Sequence, residues 1–146
     1  MDIETKREIL TENYSNPYNK VDKEPTGNYI MENSSNDSCI DNINVYVDIE
    51  DNIIKDIKFT GEACAISTAS TSIMIKNMIG MNLEDASKYI DNFTNMIYEK
   101  PYIDEHFEEA LAFDETYKQG NRRTCATLPY RAIKKIIEDY KNNKNN

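Results

Sequence analysis

The chain has 146 residues, with 17 Lys and Arg against 26 Asp and Glu, for a formal charge of −9 at neutral pH. That length suits one domain able to bury roughly two-thirds of its unfolded surface, so neither disulfides nor a metal is needed merely to fold. The acidic balance argues against a nucleic-acid groove or an anionic membrane surface, each of which needs a basic face. It fits docking to a basic patch on a partner as readily as plain solubility.

Ile3 to Tyr14 carries Ile3, Ile9, Leu10 and Tyr14 among charges, which predicts a short amphipathic helix stopped by Asn16-Pro17. Lys20 to Asn28, with Pro25 and Gly27, reads as loop. Tyr29 to Glu32 suggests a short strand, and Asn33 to Ser38, all small and polar, reads as the loop that delivers Cys39. Ile43 to Ile49 alternates apolar with polar residues, the period of a half-buried strand. Glu50-Asp51-Asn52 is turn chemistry, and Ile53 to Phe59 returns with Ile53, Ile57 and Phe59 on one face, completing an antiparallel hairpin. Thr60-Gly61-Glu62-Ala63 is expected to break that strand.

Ser67 to Ile79 reads as a helix with Ala69, Ile73, Met74 and Met78 as a buried stripe and Gly80 placed as a C-cap. Asn82-Leu83-Glu84-Asp85 gives an N-cap and an acidic first turn for a helix to Tyr98. After Pro101, Asp104 to Tyr117 is expected to be helical, with Phe107, Leu111 and Phe113 inward and Gly120 ending it. A last helix is expected from Pro129, at its first turn, to Tyr140, with Ile133, Ile136, Ile137 and Tyr140 inward. The polar residues 141–146 then read as a disordered tail. The order predicts a single α+β domain over residues 1–146: a small antiparallel three-stranded sheet packed with four to five helices.

No apolar run approaches the roughly 20 residues that span a bilayer, and Met1 to Lys6 lacks the pattern of a secretion signal. The expectation is a cytoplasmic protein with reduced thiols. Three cysteines is an odd number, so a closed disulfide framework does not fit.

Chemistry concentrates at those cysteines. Ser38-Cys39-Ile40-Asp41 lies before the hairpin, Cys64 at a strand–helix junction, and Cys125 just ahead of the last predicted helix. A helix start offers unpaired N–H groups and a positive dipole end, which favour thiolate. Cys39, Asp41, Cys64 and Cys125 would together make a four-donor tetrahedral set that suits Zn²⁺. Spacing alone leaves a second reading open, because no C-x-x-C pair is present and free cysteines are often buried as small apolar residues.

The sequence around the cysteines adds to this. Phe59-Thr60-Gly61-Glu62-Ala63-Cys64-Ala65-Ile66-Ser67-Thr68-Ala69-Ser70-Thr71-Ser72-Ile73-Met74 resembles the second-cysteine motif of the SufU/IscU (NifU N-terminal-like) iron–sulfur assembly family. Arg122-Arg123-Thr124-Cys125-Ala126-Thr127-Leu128 resembles the third, and Asn36-Asp37-Ser38-Cys39-Ile40-Asp41 the first, usually N-P-x-C-G-D. Asp37 and Ile40 stand where proline and glycine are usual. Ile40 has a stiff branched side chain that would resist a positive φ. Thr124 stands where IscU-type members carry His, the one histidine, His106, lies elsewhere, and the Tyr102–Gly120 stretch lengthens the gap between Cys64 and Cys125. Both features resemble SufU.

The resemblance implies the SufU/IscU-like fold and a protein that binds zinc through Cys39, Asp41, Cys64 and Cys125 and takes persulfide sulfur from a cysteine desulfurase. Cys39 would be the acceptor and Arg122 would lie near the site. Such a protein would be a sulfurtransferase-like partner of the desulfurase rather than a stand-alone enzyme. The same residues could instead carry an iron–sulfur cluster to apo iron–sulfur proteins, since thiolates also hold iron. A small interaction domain with packing cysteines is the reading outside this family.

Overall fold

The computed structural model describes residues 1–37 and 39–144. The chain runs through α1 (Ile3–Ser15), β1 (Tyr29–Ser35), β2 (Asn42–Glu50), β3 (Ile53–Glu62), α2 (Ala65–Met78), α3 (Leu83–Ile97), two 3₁₀ segments (Glu108–Phe113 and Thr116–Lys118) and α4 (Gly120–Lys144). The strands form one antiparallel sheet in the order β1-β2-β3. The helix α4 packs on β1 and β2, and α2 lies between α1 and α4. This is the α+β domain expected from the sequence.

Ile43, Val45 and Val47 of β2 point into the core, as the alternation predicts, and Tyr46 is buried as well. On β3 the inward set is Ile54, Ile57 and Phe59, not Ile53. The cause is a bulge. Asp48 pairs with Asp56 but Ile49 pairs with Ile54, so Lys55 is an extra residue and the face changes by one position there.

Two strands run longer than expected. β1 continues through Asn33, Ser34 and Ser35, which pair with Asn44, Ile43 and Asn42 of β2, and the two hydrogens of the Asn33 amide are shared among Asn42 Oδ1 (2.7 Å), Ile43 O (3.1 Å) and Asn44 Oδ1 (2.9 Å). Polar side chains thus extend a strand that composition suggested was loop. β3 passes through Gly61 instead of breaking there. Gly61 has φ 108°, and a Cβ on it would meet Asn42 O at 2.3 Å, so only glycine permits that approach of β3 to β2.

The inward residue of α1 is Asn13, which donates to Ile9 O at 2.8 Å and accepts from the Ser72 hydroxyl at 2.8 Å. Ile9 and Leu10 pack on the core, while Ile3 and Tyr14 are exposed. The helix α2 is buried far beyond a stripe: every residue from Ser67 to Ile75 is inside. The helix α3 begins at its predicted cap, with Asn82 Oδ1 accepting from Asp85 N–H at 2.8 Å.

The expected helix over Asp104 to Tyr117 is replaced by the two 3₁₀ segments. His106 and Glu108 take left-handed φ of 66° and 46°, which no α-helix accommodates. Phe107 and Phe113 are buried as expected, and Leu111 is half-buried against the core. A second correction concerns α4, which starts at Gly120, well before Pro129. Pro129 lies inside the helix and not at its first turn. Gly120 therefore opens a helix where it was expected to close one. Lys141 to Lys144 continue α4, and the remainder of the expected tail, residues 145–146, lies outside the described residues, as does Ser38 in the first-cysteine loop.

Pro129 is tolerated because the carbonyls near it have other donors. Cys125 O, which Pro129 cannot bond, lies 3.0 Å from the Ser67 hydroxyl, whose single hydrogen it shares with Asp41 Oδ2 at 2.8 Å. Ala126 O accepts from Ser70 Oγ at 2.5 Å, and Leu128 O from Ser34 Oγ at 2.9 Å. Hydroxyls of α2 and β1 thereby fix this stretch of α4. Next to Pro129, Tyr130 stacks on Phe93 with centroids 4.1 Å apart and hydrogen-bonds Tyr89 (Oη–Oη 3.0 Å).

Candidate metal centre

The four residues singled out from the sequence meet at one end of the sheet. Donor atoms of Cys39, Asp41, Cys64 and Cys125 all lie within 4.8 Å of one another. Zinc–thiolate bonds of about 2.3 Å in a tetrahedron set donors roughly 3.8 Å apart. The Cys64 Sγ–Asp41 Oδ2 separation is already 3.7 Å.

Two donors come from the β1–β2 loop, one from the head of α2 and one from within α4. Cys39 sits on the β1–β2 loop, exposed; its N–H donates to Asn36 O, and Asn36 N–H returns to Asp41 O, both at 3.0 Å. Ile40 beside it is 70% exposed and is not among the residues with positive φ, so it takes its place without the glycine conformation. Asp41 immediately precedes β2 and is 2% exposed. Cys64 is the N-cap of α2: its Sγ accepts from Ser67 N–H at 3.4 Å, as a capping side chain does. Cys125 is buried inside α4 with its Sγ 3.6 Å from Asn121 O. Cys64 therefore stands at a helix start, as expected, and Cys125 does not.

The electrostatics are those of a crowded anionic cage. Burial pushes the Asp41 carboxyl up, but the Cys64 N–H (2.7 Å), the Ser67 hydroxyl (2.8 Å) and the neighbouring thiols together hold it below its ordinary 3.8. Burial, then the Cys64 thiol and the Asp41 charge, push the Cys125 thiol up to about 12. A buried carboxylate normally has a cationic partner. Among the described residues Asp41 forms no ion pair. A metal cation would supply that charge and make thiolates of the cysteines, so the donor set fits such an ion.

The two arginines separate clearly. Arg123 is half-buried and its guanidinium donates to Tyr117 O through Nε (2.9 Å) and Nη2, tying α4 to the preceding 3₁₀ segment. Arg122 is exposed, three residues before Cys125 on α4. His106 lies in a turn with its Nε2 3.4 Å from Glu105 and is not part of the four-donor group. Sequence reasoning missed Ser67. Its position three residues after a helix-capping side chain, the spacing of a capping box, is the signal that points to it.

Comparison with known proteins gives concordant matches. A family model described as the NifU-like N-terminal domain matches residues 5–146. The chain is 32% identical over 132 residues to the zinc-dependent sulfurtransferase SufU of Bacillus subtilis (strain 168), covering 90% of this chain and 88% of that protein. It is 28% identical over 109 residues to the iron–sulfur cluster assembly scaffold protein IscU of Thermotoga maritima, covering 75% and 77%. A crystal structure of a putative iron–sulfur cluster assembly scaffold protein for the SUF system, from Fervidobacterium islandicum AW-1, matches with a TM-score of 0.77 at 26% identity. That match covers 87% of this chain and 92% of that one.

Proposed function

The chain belongs to the NifU-like N-terminal domain family, and on that premise we propose that it is an iron–sulfur cluster assembly protein that holds one zinc ion and accepts persulfide sulfur from a cysteine desulfurase. One observation carries the reading: three thiols and a buried carboxylate converge within 4.8 Å, with Thr124 and not a histidine beside the third thiol. When bound, zinc would keep the cysteines ionised at neutral pH and shield them from side reactions.

The chain's own residues divide the work. Cys39 is the one exposed thiol of the three, so it is the one a partner's active site can reach. Its thiolate attacks the outer sulfur of the desulfurase persulfide. The partner's S–S bond breaks, a new S–S bond forms at Cys39, and the electron pair departs on the partner's cysteine thiolate. Arg122, exposed three residues before Cys125 in the chain, is the cation this reading pairs with the persulfide anion that results. Asp41, Cys64 and Cys125 stay anchored. The reading carries a cytoplasmic location, where thiols are kept reduced.

Elemental analysis together with a desulfurase activation assay tests this. The purified protein should carry about one zinc per chain, and Cys39→Ala should bind zinc more weakly and give no stimulation. Undiminished stimulation by a folded Cys39→Ala protein would overturn it. The match to a protein named as a cluster scaffold favours a second reading, in which the same thiolates hold an iron–sulfur cluster for transfer. Anaerobic reconstitution separates the two: a stable visible chromophore that passes to an apo acceptor belongs to the scaffold alone.

A further inference from the structure

We propose that Ser67 is the positioning residue that holds Asp41, Cys64 and Cys125 as a three-donor cradle while Cys39 leaves the metal to collect sulfur, an inference that rests on the zinc reading above. Ser67 is fully buried and touches three of the four donor residues on three different elements. Its hydroxyl lies 2.8 Å from Asp41 Oδ2 and 3.0 Å from Cys125 O, its Oγ is 3.5 Å from Cys64 Sγ, and its N–H donates to that sulfur at 3.4 Å. Asp41 in turn accepts the Cys64 N–H at 2.7 Å, which closes the set. No bond in this network involves Cys39. Its N–H goes to Asn36 O within its own loop.

The division has a direct physical meaning. A metal site that must release one ligand without losing its ion needs the other three to hold their geometry unaided, and hydrogen bonds to the ligands supply that. The Cys125 carbonyl is open to the Ser67 hydroxyl because Pro129, four residues on, has no N–H to offer it. Pro129 and Ser67 together join α4 to α2 at the level of the site, and thereby fix Cys125 relative to Cys64. Ser70 provides the internal control. It makes the same kind of hydroxyl-to-carbonyl bond one residue along, to Ala126 O, is equally buried, and touches no donor side chain.

The experiment compares Ser67→Ala, Ser67→Thr and Ser70→Ala, each in the parent and in a Cys39→Ala background. Zinc affinity is read by competition with a chromophoric chelator, and folding of the zinc-free protein by thermal unfolding. Ser67→Ala should lose about 10- to 100-fold in affinity, and more in the Cys39→Ala background, where only the cradle remains. Ser70→Ala should lower the unfolding midpoint comparably but change affinity less than about threefold, and Ser67→Thr, which keeps the hydroxyl, should stay near the parent. Equal affinity loss in Ser67→Ala and Ser70→Ala would overturn the proposal. So would a folded Ser67→Thr protein that loses more than about tenfold relative to the parent, a comparison that stands even if Ser67→Ala does not fold. A parent protein that binds no zinc would instead refute the zinc reading, and the cradle with it.

Discussion

Pro129 stands four residues after Cys125 on the same helix, and the carbonyl it leaves without a helical partner accepts the Ser67 hydroxyl at 3.0 Å. A proline inside a helix ordinarily costs about 3 kcal/mol, from the lost bond and the clash of its ring. Here the lost bond is replaced from α2. Pro129→Ala would restore an N–H that competes with the Ser67 hydroxyl for the Cys125 carbonyl, loosening the tie between α4 and α2 at the site. The zinc-free protein should melt within a few degrees of the parent, while zinc affinity falls about tenfold. Chelator competition and thermal unfolding on the same samples check the two halves.

The glycines give a contrast in stability. Gly61 and Gly80 both have positive φ, 108° and 95°, so alanine at either is strained by about 1–2 kcal/mol. At Gly61 the new Cβ also meets Asn42 O at 2.3 Å, whereas at Gly80 nothing lies within 4 Å. Gly61→Ala should therefore destabilise clearly more than Gly80→Ala. It should also reduce metal content, because it displaces the β3 end that leads into Cys64. Urea unfolding and zinc analysis of the pair measure both effects.

Asp56 gives a pH test remote from the site. It accepts from Tyr29 Oη at 2.6 Å and Lys58 Nζ at 2.6 Å; burial pushes its carboxyl up, but these partners hold it below 3.8. Because the folded pKa is depressed, the stability it contributes is present above the unfolded value and is lost as pH falls through the folded one. Asp56→Asn should be about 1 kcal/mol less stable than the parent at pH 7, with the gap closing below pH 3.8. Denaturant midpoints across acid pH report it.

Arg122 and Arg123 should separate function from structure. Arg123→Ala removes two bonds to Tyr117 O and should cost about 1–2 kcal/mol. Arg122→Ala should leave stability and zinc content unchanged, since the side chain is exposed. Its expected effect is slower sulfur acceptance, read as persulfide formed on Cys39 per unit time.

The hairpin, α3 and the four donors were legible because each has a local signal: alternation in Ile43–Ile49, the Asn82 cap, and the words around Cys39, Cys64 and Cys125. What was not legible depends on distant partners. Nothing near Pro129 in sequence shows that Ser67, Ser70 and Ser34 would bond the carbonyls of Cys125, Ala126 and Leu128, so proline read as a helix start. The apolar spacing of Phe107, Leu111 and Phe113 fits an α-helix, but left-handed turns at His106 and Glu108 deliver the same side chains to the core. The single bulged residue Lys55 moved the inward position from Ile53 to Ile54.

Nine consecutive residues, Ser67 to Ile75, are buried. On such a helix a larger side chain overpacks, a smaller one leaves a void, and a lost hydroxyl strands a carbonyl. Cys64, just ahead of that segment, belongs to the four-donor group. The long word around Cys64 thus coincides with the enclosure of α2, and this one residue of it is a donor.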